Sequence, residues 1–237
     1  MMMKLWRKIA TITLAGILTF CCAMPVMPNQ CMQVQAAETY TYKTDKDNKT
    51  FKDASTIKVE HYYKRVVLNG SSKAIKSINK QLKAYSDQFM KQKSAAFDYA
   101  ANDCKISNCD TTYVDFVKQK VSFRSDKIVC IYTKSEWWAG GVSNTDEYGY
   151  TFNLKTGKLI KKITSVTKTS SLSKIKAKLK KSIKADQYDA SELDEMEAAD
   201  FRYYINSKGN VVVCFAPYEL GYGGWCKKYT LKGKYAK

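Results

Sequence analysis

The chain has 237 residues, enough to bury one large core or two small ones without help from cross-links. It carries 40 Lys and Arg against 22 Asp and Glu, a net charge of +18, and a single histidine. One imidazole nearly excludes zinc deacetylases and metallopeptidases, while the lack of a phosphate-cradling glycine loop and of a Gly-x-Ser-x-Gly elbow argues against nucleotide and serine-hydrolase chemistry.

At the N-terminus, Lys4, Arg7 and Lys8 precede an apolar run from Ile9 to about Met24, and Val34-Gln35-Ala36 offers small residues for signal peptidase. The pattern predicts an export signal over residues 1–36. Pro25 cuts the run short of the roughly 20 residues a membrane span needs, so membrane attachment would come only through an uncleaved signal. Removing that segment leaves +15 on about 200 residues, a field that favours anionic wall polymer. Export also disfavours nucleic acid as a partner.

Glu38 to Ala54 is rich in Lys, Asp and Thr and reads as a flexible polar segment over residues 37–54. Strand signals begin at Thr56 and run to Leu68, and Asn69-Gly70 turns the chain. Ser71 or Ser72 then caps one long amphipathic helix from Lys73 to about Ala101, with Ile75, Ile78, Leu82, Tyr85 and Phe89 on one face. An antiparallel meander follows: Thr112 to Phe123, Ile128 to Trp137 and Thr145 to Asn153. Ser171 to about Ala185 is a second helix, studded with lysines, and seven carboxylates crowd Asp186 to Asp200 just behind it. Those carboxylates lack calcium-loop spacing and are read as neutralising the basic helix. The last strands are Phe201 to Ile205, Val211 to Phe215 and Cys226 to Leu231, with the uncharged Val211–Phe215 run expected near the middle of a sheet. The fold class is therefore α+β: antiparallel sheet with one long and one shorter amphipathic helix packed on it.

Five cysteines follow the signal: Cys104, Cys109, Cys130, Cys214 and Cys226. Cys104 and Cys109 bracket a short polar loop and form a candidate disulfide. His61 lies mid-strand among tyrosines and reads as a half-buried packing residue. Glu136, Asp146, Glu147 and Glu219 lie near aromatics, and a carboxylate pair among them is the one route to glycoside hydrolysis. No cofactor or metal site is indicated. The candidate binding surface is aromatic: Trp137 and Trp138 end one strand beside Gly140-Gly141, and Tyr218, Glu219, Tyr222 and Trp225 follow another among glycines.

The order of these motifs resembles a known exported family. Ala139-Gly140-Gly141, then Tyr148-Gly149-Tyr150-Thr151-Phe152-Asn153-Leu154-Lys155-Thr156-Gly157-Lys158, then Phe215-Ala216-Pro217-Tyr218-Glu219, is similar to the RsiV-like extracellular domain of lysozyme-sensing anti-sigma factors. The strand and helix over Ile57 to Ala101 resemble the N-terminal region of PdaC-type peptidoglycan deacetylases. Where the family often has Ala-His after the double glycine, this chain has Val142-Ser143. The resemblance implies a free-standing exported binding domain, with residues 55–120 as an N-terminal part and 121–235 as a C-terminal part. The expected function is non-catalytic binding of wall glycan or anionic wall polymer by a secreted, wall-associated protein. Lysozyme binding is the alternative, and hydrolysis of wall glycan a distant third.

Overall fold

The computed structural model describes residues 39–220 and 223–237, so the expected signal over 1–36 lies outside the described residues. Eight strands and three helices follow in chain order: β1 (Tyr40–Lys52), β2 (Thr56–Leu68), α1 (Lys73–Lys91), α2 (Lys93–Asp103), β3 (Thr111–Arg124), β4 (Ile128–Ala139), β5 (Val142–Asn153), α3 (Leu172–Ala185), β6 (Arg202–Ile205), β7 (Val211–Phe215) and β8 (Lys227–Leu231). The first five strands form one sheet in sequence order, and the last three form a second with β7 in its centre. All five residues of β7 are buried, as its uncharged run requires.

Within the segment expected to be flexible and polar, Tyr40–Lys52 instead form β1, which pairs with β2 along its whole length. A polar sequence suits an edge strand, which needs charge on its open side. Two of its carboxylates tie it down: Asp45 accepts from Ser86 Oγ at 2.8 Å and Arg65 Nε at 3.3 Å, and Asp47 pairs with Lys93.

Ser72 caps α1 by accepting the Ile75 amide, and the three-four spacing of Ile75, Ile78 and Leu82 puts all three into the core. The single helix expected through Ala101 is broken at Gln92, whose amide bonds back three residues to Phe89 O at 2.9 Å. Together α1 and α2 make the crossover that brings β3 alongside β2 in parallel, which makes the larger sheet mixed. The other three pairings in that sheet are antiparallel.

Alternation along β4 separates two cores. Val129 and Ile131 pack under α1 with Val66, Leu68 and Phe152, whereas Ile128 and Cys130 face α3 and the smaller sheet. Ser171 caps α3, and its Ile175, Leu179 and Ile183 are fully buried in this second core. At the junction Gly149 admits the backbone of Tyr203 and Tyr204, and Ile205 N donates to Cys130 Sγ at 3.1 Å. The acidic stretch does answer the basic helix, since Lys180 binds Asp194 at 2.5 Å and Lys176 reaches the Asp194 carbonyl. Among the described residues no helix is long and apolar enough to cross a membrane.

Candidate functional site

Where the helix breaks at Gln92, it leaves a groove over the larger sheet. Two cavities of about 220 and 360 Å³ adjoin there, sharing Phe89 and Gln92. The first is walled by Tyr63, Tyr85, Gln88, Val117, Tyr148 and Tyr150, and the second by Ala95, Ala96, Tyr99, Asp115 and Trp137. Rings and amides thus dominate the walls.

Each wall follows from local structure. Tyr148 and Tyr150 flank Gly149 on β5, so strand alternation turns both to the helix side. Tyr85 and Phe89 stand one turn apart on α1, which puts them on the same helix face. Tyr85 stacks on Tyr150 with ring centroids 4.2 Å apart, and Tyr148 meets Tyr150 edge-on at 5.5 Å. Gln119 Nε2 donates to Tyr63 Oη at 2.8 Å, and the Arg202 guanidinium, held by Asp146, lies 4.9 Å from the Tyr148 ring centroid. Burial pushes the hydroxyls of Tyr63 and Tyr150 far above their ordinary range, and raises Tyr85 and Tyr148 too. They stay neutral, able to donate and accept.

His61 is fully buried rather than half-buried, because Phe89 of α1 and Phe97 of α2 cover its ring. Its ring stacks on Phe89 at 4.5 Å and its Nδ1 lies 2.9 Å from Asp115 Oδ2. Nε2 has no hydrogen-bond partner among the described residues. Asp115 is therefore oriented by His61 on the floor of the second cavity.

The sequence-derived aromatic cluster is only partly assembled. Trp137 lines the groove, meeting Tyr99 at 6.3 Å. Trp138 packs edge-on against Tyr113 at 6.1 Å. Tyr218 and Trp225 are 61% and 52% exposed on the loop after β7, outside the groove. That loop is docked on β5: Thr145 N donates to Gly224 O at 3.0 Å, and Cys226 N donates to Thr145 O at 2.9 Å. Glu219 closes the loop by accepting the Ala216 amide, and Tyr222 lies outside the described residues. Cys104 is buried, Cys109 is exposed, and both thiols are free.

No protein-family model matches the chain, and no curated protein does. Among solved structures, the chain is similar to a DUF3298 family member from Bacteroides fragilis, at 12% identity over 81% of this chain and 89% of that one, with a TM-score of 0.49. It is also similar to one from Pseudomonas aeruginosa, at 10% identity over 81% and 90%, with a TM-score of 0.46. Both neighbours are DUF3298 proteins. Neither likeness bears on the RsiV-like or PdaC-type resemblance of the sequence.

The four carboxylates singled out in the sequence each have a partner. Glu136 pairs with Lys134, Asp146 with Arg202, Glu147 with Lys228, and Glu219 with the Ala216 amide. Burial alone would raise the Glu147 carboxyl, but hydrogen bonds from Lys228 and Tyr132 hold it below its ordinary range. Among the described residues no group of three or more His, Cys, Asp or Glu is arranged to hold a metal ion.

The reverse face of β1–β3 presents different chemistry. Tyr62 stacks on Phe116 at 5.2 Å, Lys118 Nζ sits 4.2 Å from the Phe116 centroid, and Lys64 lies over Tyr42 at 4.6 Å. Lys120 caps Tyr132 at 4.9 Å. Lys64, Lys118 and Lys120 are all exposed, so this face is basic and aromatic.

Sequence reasoning missed most of the groove. Tyr63, Tyr85, Gln88, Phe89 and Asp115 come from β2, α1 and β3, with Gln92 at the helix break, and they meet only through the parallel crossover. The signal available was the pair Tyr148 and Tyr150 around a glycine, with Tyr85 and Phe89 one turn apart, which by themselves read as core.

Proposed function

We propose that this protein is an exported, non-catalytic module that binds wall glycan at the cell envelope, with the groove as its site. The observation that carries this reading is the groove wall itself: neutral tyrosine hydroxyls and glutamine amides beside the rings of Phe89 and Trp137. A sugar offers an apolar ring face and a rim of hydroxyls, and such a wall matches both. The net positive charge and the basic reverse face concentrate the protein at an anionic envelope before the groove engages. Peptidoglycan and its attached anionic polymer are thus the proposed partners, and secretion with wall association the proposed location. Binding is favoured over hydrolysis because Asp115 is committed to His61 and the other candidate carboxylates are each engaged.

A second reading, lysozyme binding, is supported by the RsiV-like resemblance and by the exposed rings of Tyr218 and Trp225 on a docked loop. One experiment separates the two: co-sedimentation with isolated Gram-positive walls, intact and stripped of anionic polymer, beside calorimetry with lysozyme. Trp137→Ala should weaken binding to stripped walls roughly tenfold, the loss of about one stacking contact, without lowering thermal stability by more than a few degrees. Failure to bind stripped walls at low salt, with a one-to-one lysozyme complex weakened by Trp225→Ala, would replace the first reading with the second.

A further inference from the structure

The loop that carries Tyr218 and Trp225 leaves β7 after Phe215 and re-enters the smaller sheet at Lys227. At its two roots stand cysteines. Cys214 lies opposite Lys228 in the ladder, and Cys226 stands just before β8 begins, where the chain is no longer held in ladder register. Cys214 and Cys226 belong to one small buried cluster with Val212, capped by Tyr204, so their side chains pack against one another. Each sulfur also points at backbone oxygen, Cys214 Sγ at Val212 O (3.8 Å) and Cys226 Sγ at Glu147 O (3.5 Å). The other three cysteines are placed differently: Cys130 Sγ is engaged by the Ile205 amide, Cys104 Sγ by the Ala101 carbonyl, and Cys109 is on the surface.

We infer that Cys214 and Cys226 are a redox site, closed to a disulfide by exchange with a low-molecular-weight disulfide or the disulfide of an oxidoreductase. Cys226, the more accessible of the two at 8% exposure against 1%, gives its proton to solvent and attacks the incoming disulfide RSSR as thiolate, releasing RS⁻ and leaving a mixed disulfide on Cys226. Cys214 then gives its proton to that RS⁻ and attacks Cys226 Sγ, expelling the second RS⁻, which takes a proton from solvent. Two protein thiols are oxidised to one disulfide, and RSSR is reduced to two RSH. Cys214 is held within β7 and covered on all sides, whereas Cys226 stands at the loop root just outside β8, where an incoming disulfide can reach it. Cys226 is accordingly the attacking thiol.

Closing this bridge turns the loop after β7 into a ring anchored in the smaller sheet. Its exposed rings would then be presented on a covalently closed support, with less freedom to lose on meeting a partner. The inference stands apart from the glycan reading, because it concerns loop closure whatever the loop contacts.

The test uses the full chain, purified reduced and then treated with oxidised glutathione. One tryptic peptide, residues 209–227, contains Cys214 and Cys226 and no other cysteine. Its mass should fall by two hydrogens, both thiols should resist alkylation when the chain is unfolded in denaturant, and the melting temperature should rise by roughly 5 °C or more. Reductant should reverse the rise, and Cys226→Ser should abolish it while the reduced variant melts within a few degrees of the reduced parent. Any of three results overturns the inference: both thiols still open to alkylation, a glutathione adduct that persists on Cys226, or a bridge that recruits Cys104, Cys109 or Cys130 instead.

Discussion

Gly149 is the tightest point of the junction between the two sheets, and Gly149→Ala tests whether they meet as described. A Cβ there would lie 2.6 Å from Tyr204 Cβ, 2.8 Å from the Tyr203 carbonyl oxygen and 2.9 Å from Tyr204 Cα. Carbon atoms in ordinary contact sit about 3.5–4.0 Å apart, so β6 must retreat by about 1 Å. The neighbouring atoms are backbone or fixed to it, and no flexible side chain can absorb the displacement. That retreat would loosen the Ile205–Cys130 hydrogen bond, the Tyr132–Tyr204 ring contact and the Arg202–Asp146 pair together. Overpacking of this kind costs about 1–3 kcal/mol, partly offset by the smaller entropy loss of Ala over Gly, typically below about 1 kcal/mol. For a domain near 200 residues the melting temperature should then drop by roughly 1–8 °C. Thermal unfolding followed by circular dichroism reads it directly, and amide exchange should show β6 losing protection before β2. A variant that melts within about 1 °C of the parent, or above it, would mean that the smaller sheet does not rest on Gly149.

Other consequences can be measured on the same protein. Leu179→Ala removes a fully buried side chain between Ile175 and Ile183 and should cost about 2–5 kcal/mol by denaturant titration. The Glu147 carboxyl is held below its ordinary range in the folded state, so the stability it contributes is present above the unfolded value near pH 4.5 and is lost as pH falls through the folded one. The melting temperature should therefore decline from pH 6 toward pH 3, and Glu147→Gln should flatten part of that decline; an unchanged slope would sink the assignment. Reversing Lys64, Lys118 and Lys120 to Glu should leave the fold intact while wall association weakens and becomes much less dependent on salt. Equal salt dependence in parent and variant would show that the basic reverse face takes no part.

The elements with clean periodicity could be read from the chain alone. The uncharged run of β7, the three-four spacing of α1 and α3, and the β3–β4–β5 meander are each specified by local pattern and by turn residues such as Gly140 and Gly141, both at positive φ. β1 was hidden because an edge strand is polar by necessity, and its composition is that of a tether. The helix break at Gln92 has no proline or glycine to announce it. Most of the groove was hidden for the same reason: without the break and the parallel β2–β3 pairing, Tyr63, Tyr85 and Tyr148 have no cause to be neighbours. Trp137 was legible because an aromatic beside a tight glycine turn at a strand end is exposed to a site by position alone. Cys214 and Cys226 sit twelve positions apart on either side of a loop, so their proximity could not be read before β8 was seen to pair with β7.

Strand alternation gives the larger sheet its two kinds of surface. On β2, His61 and Tyr63 turn toward the helices and Tyr62 and Lys64 turn away; on β3, Asp115 and Val117 turn toward them and Phe116 and Lys118 turn away. The parallel pairing sets His61 against Asp115 and Tyr63 against Val117, which keeps like faces together across the two strands. A slip of β3 by one residue would bury Lys118 under α1 and expose Val117. The register is accordingly pinned from both sides, by the His61–Asp115 contact and the Gln119–Tyr63 hydrogen bond on the helix face and by the Tyr62–Phe116 stack on the other. A protein built this way can change its charged face without disturbing its groove, because the two are carried by alternate residues of the same strands. For that reason the charge reversal of Lys64, Lys118 and Lys120 and the Trp137→Ala change should act independently. Their effects on wall affinity should add to within about 0.5 kcal/mol, and a larger coupling would mean that one surface, not two, contacts the wall.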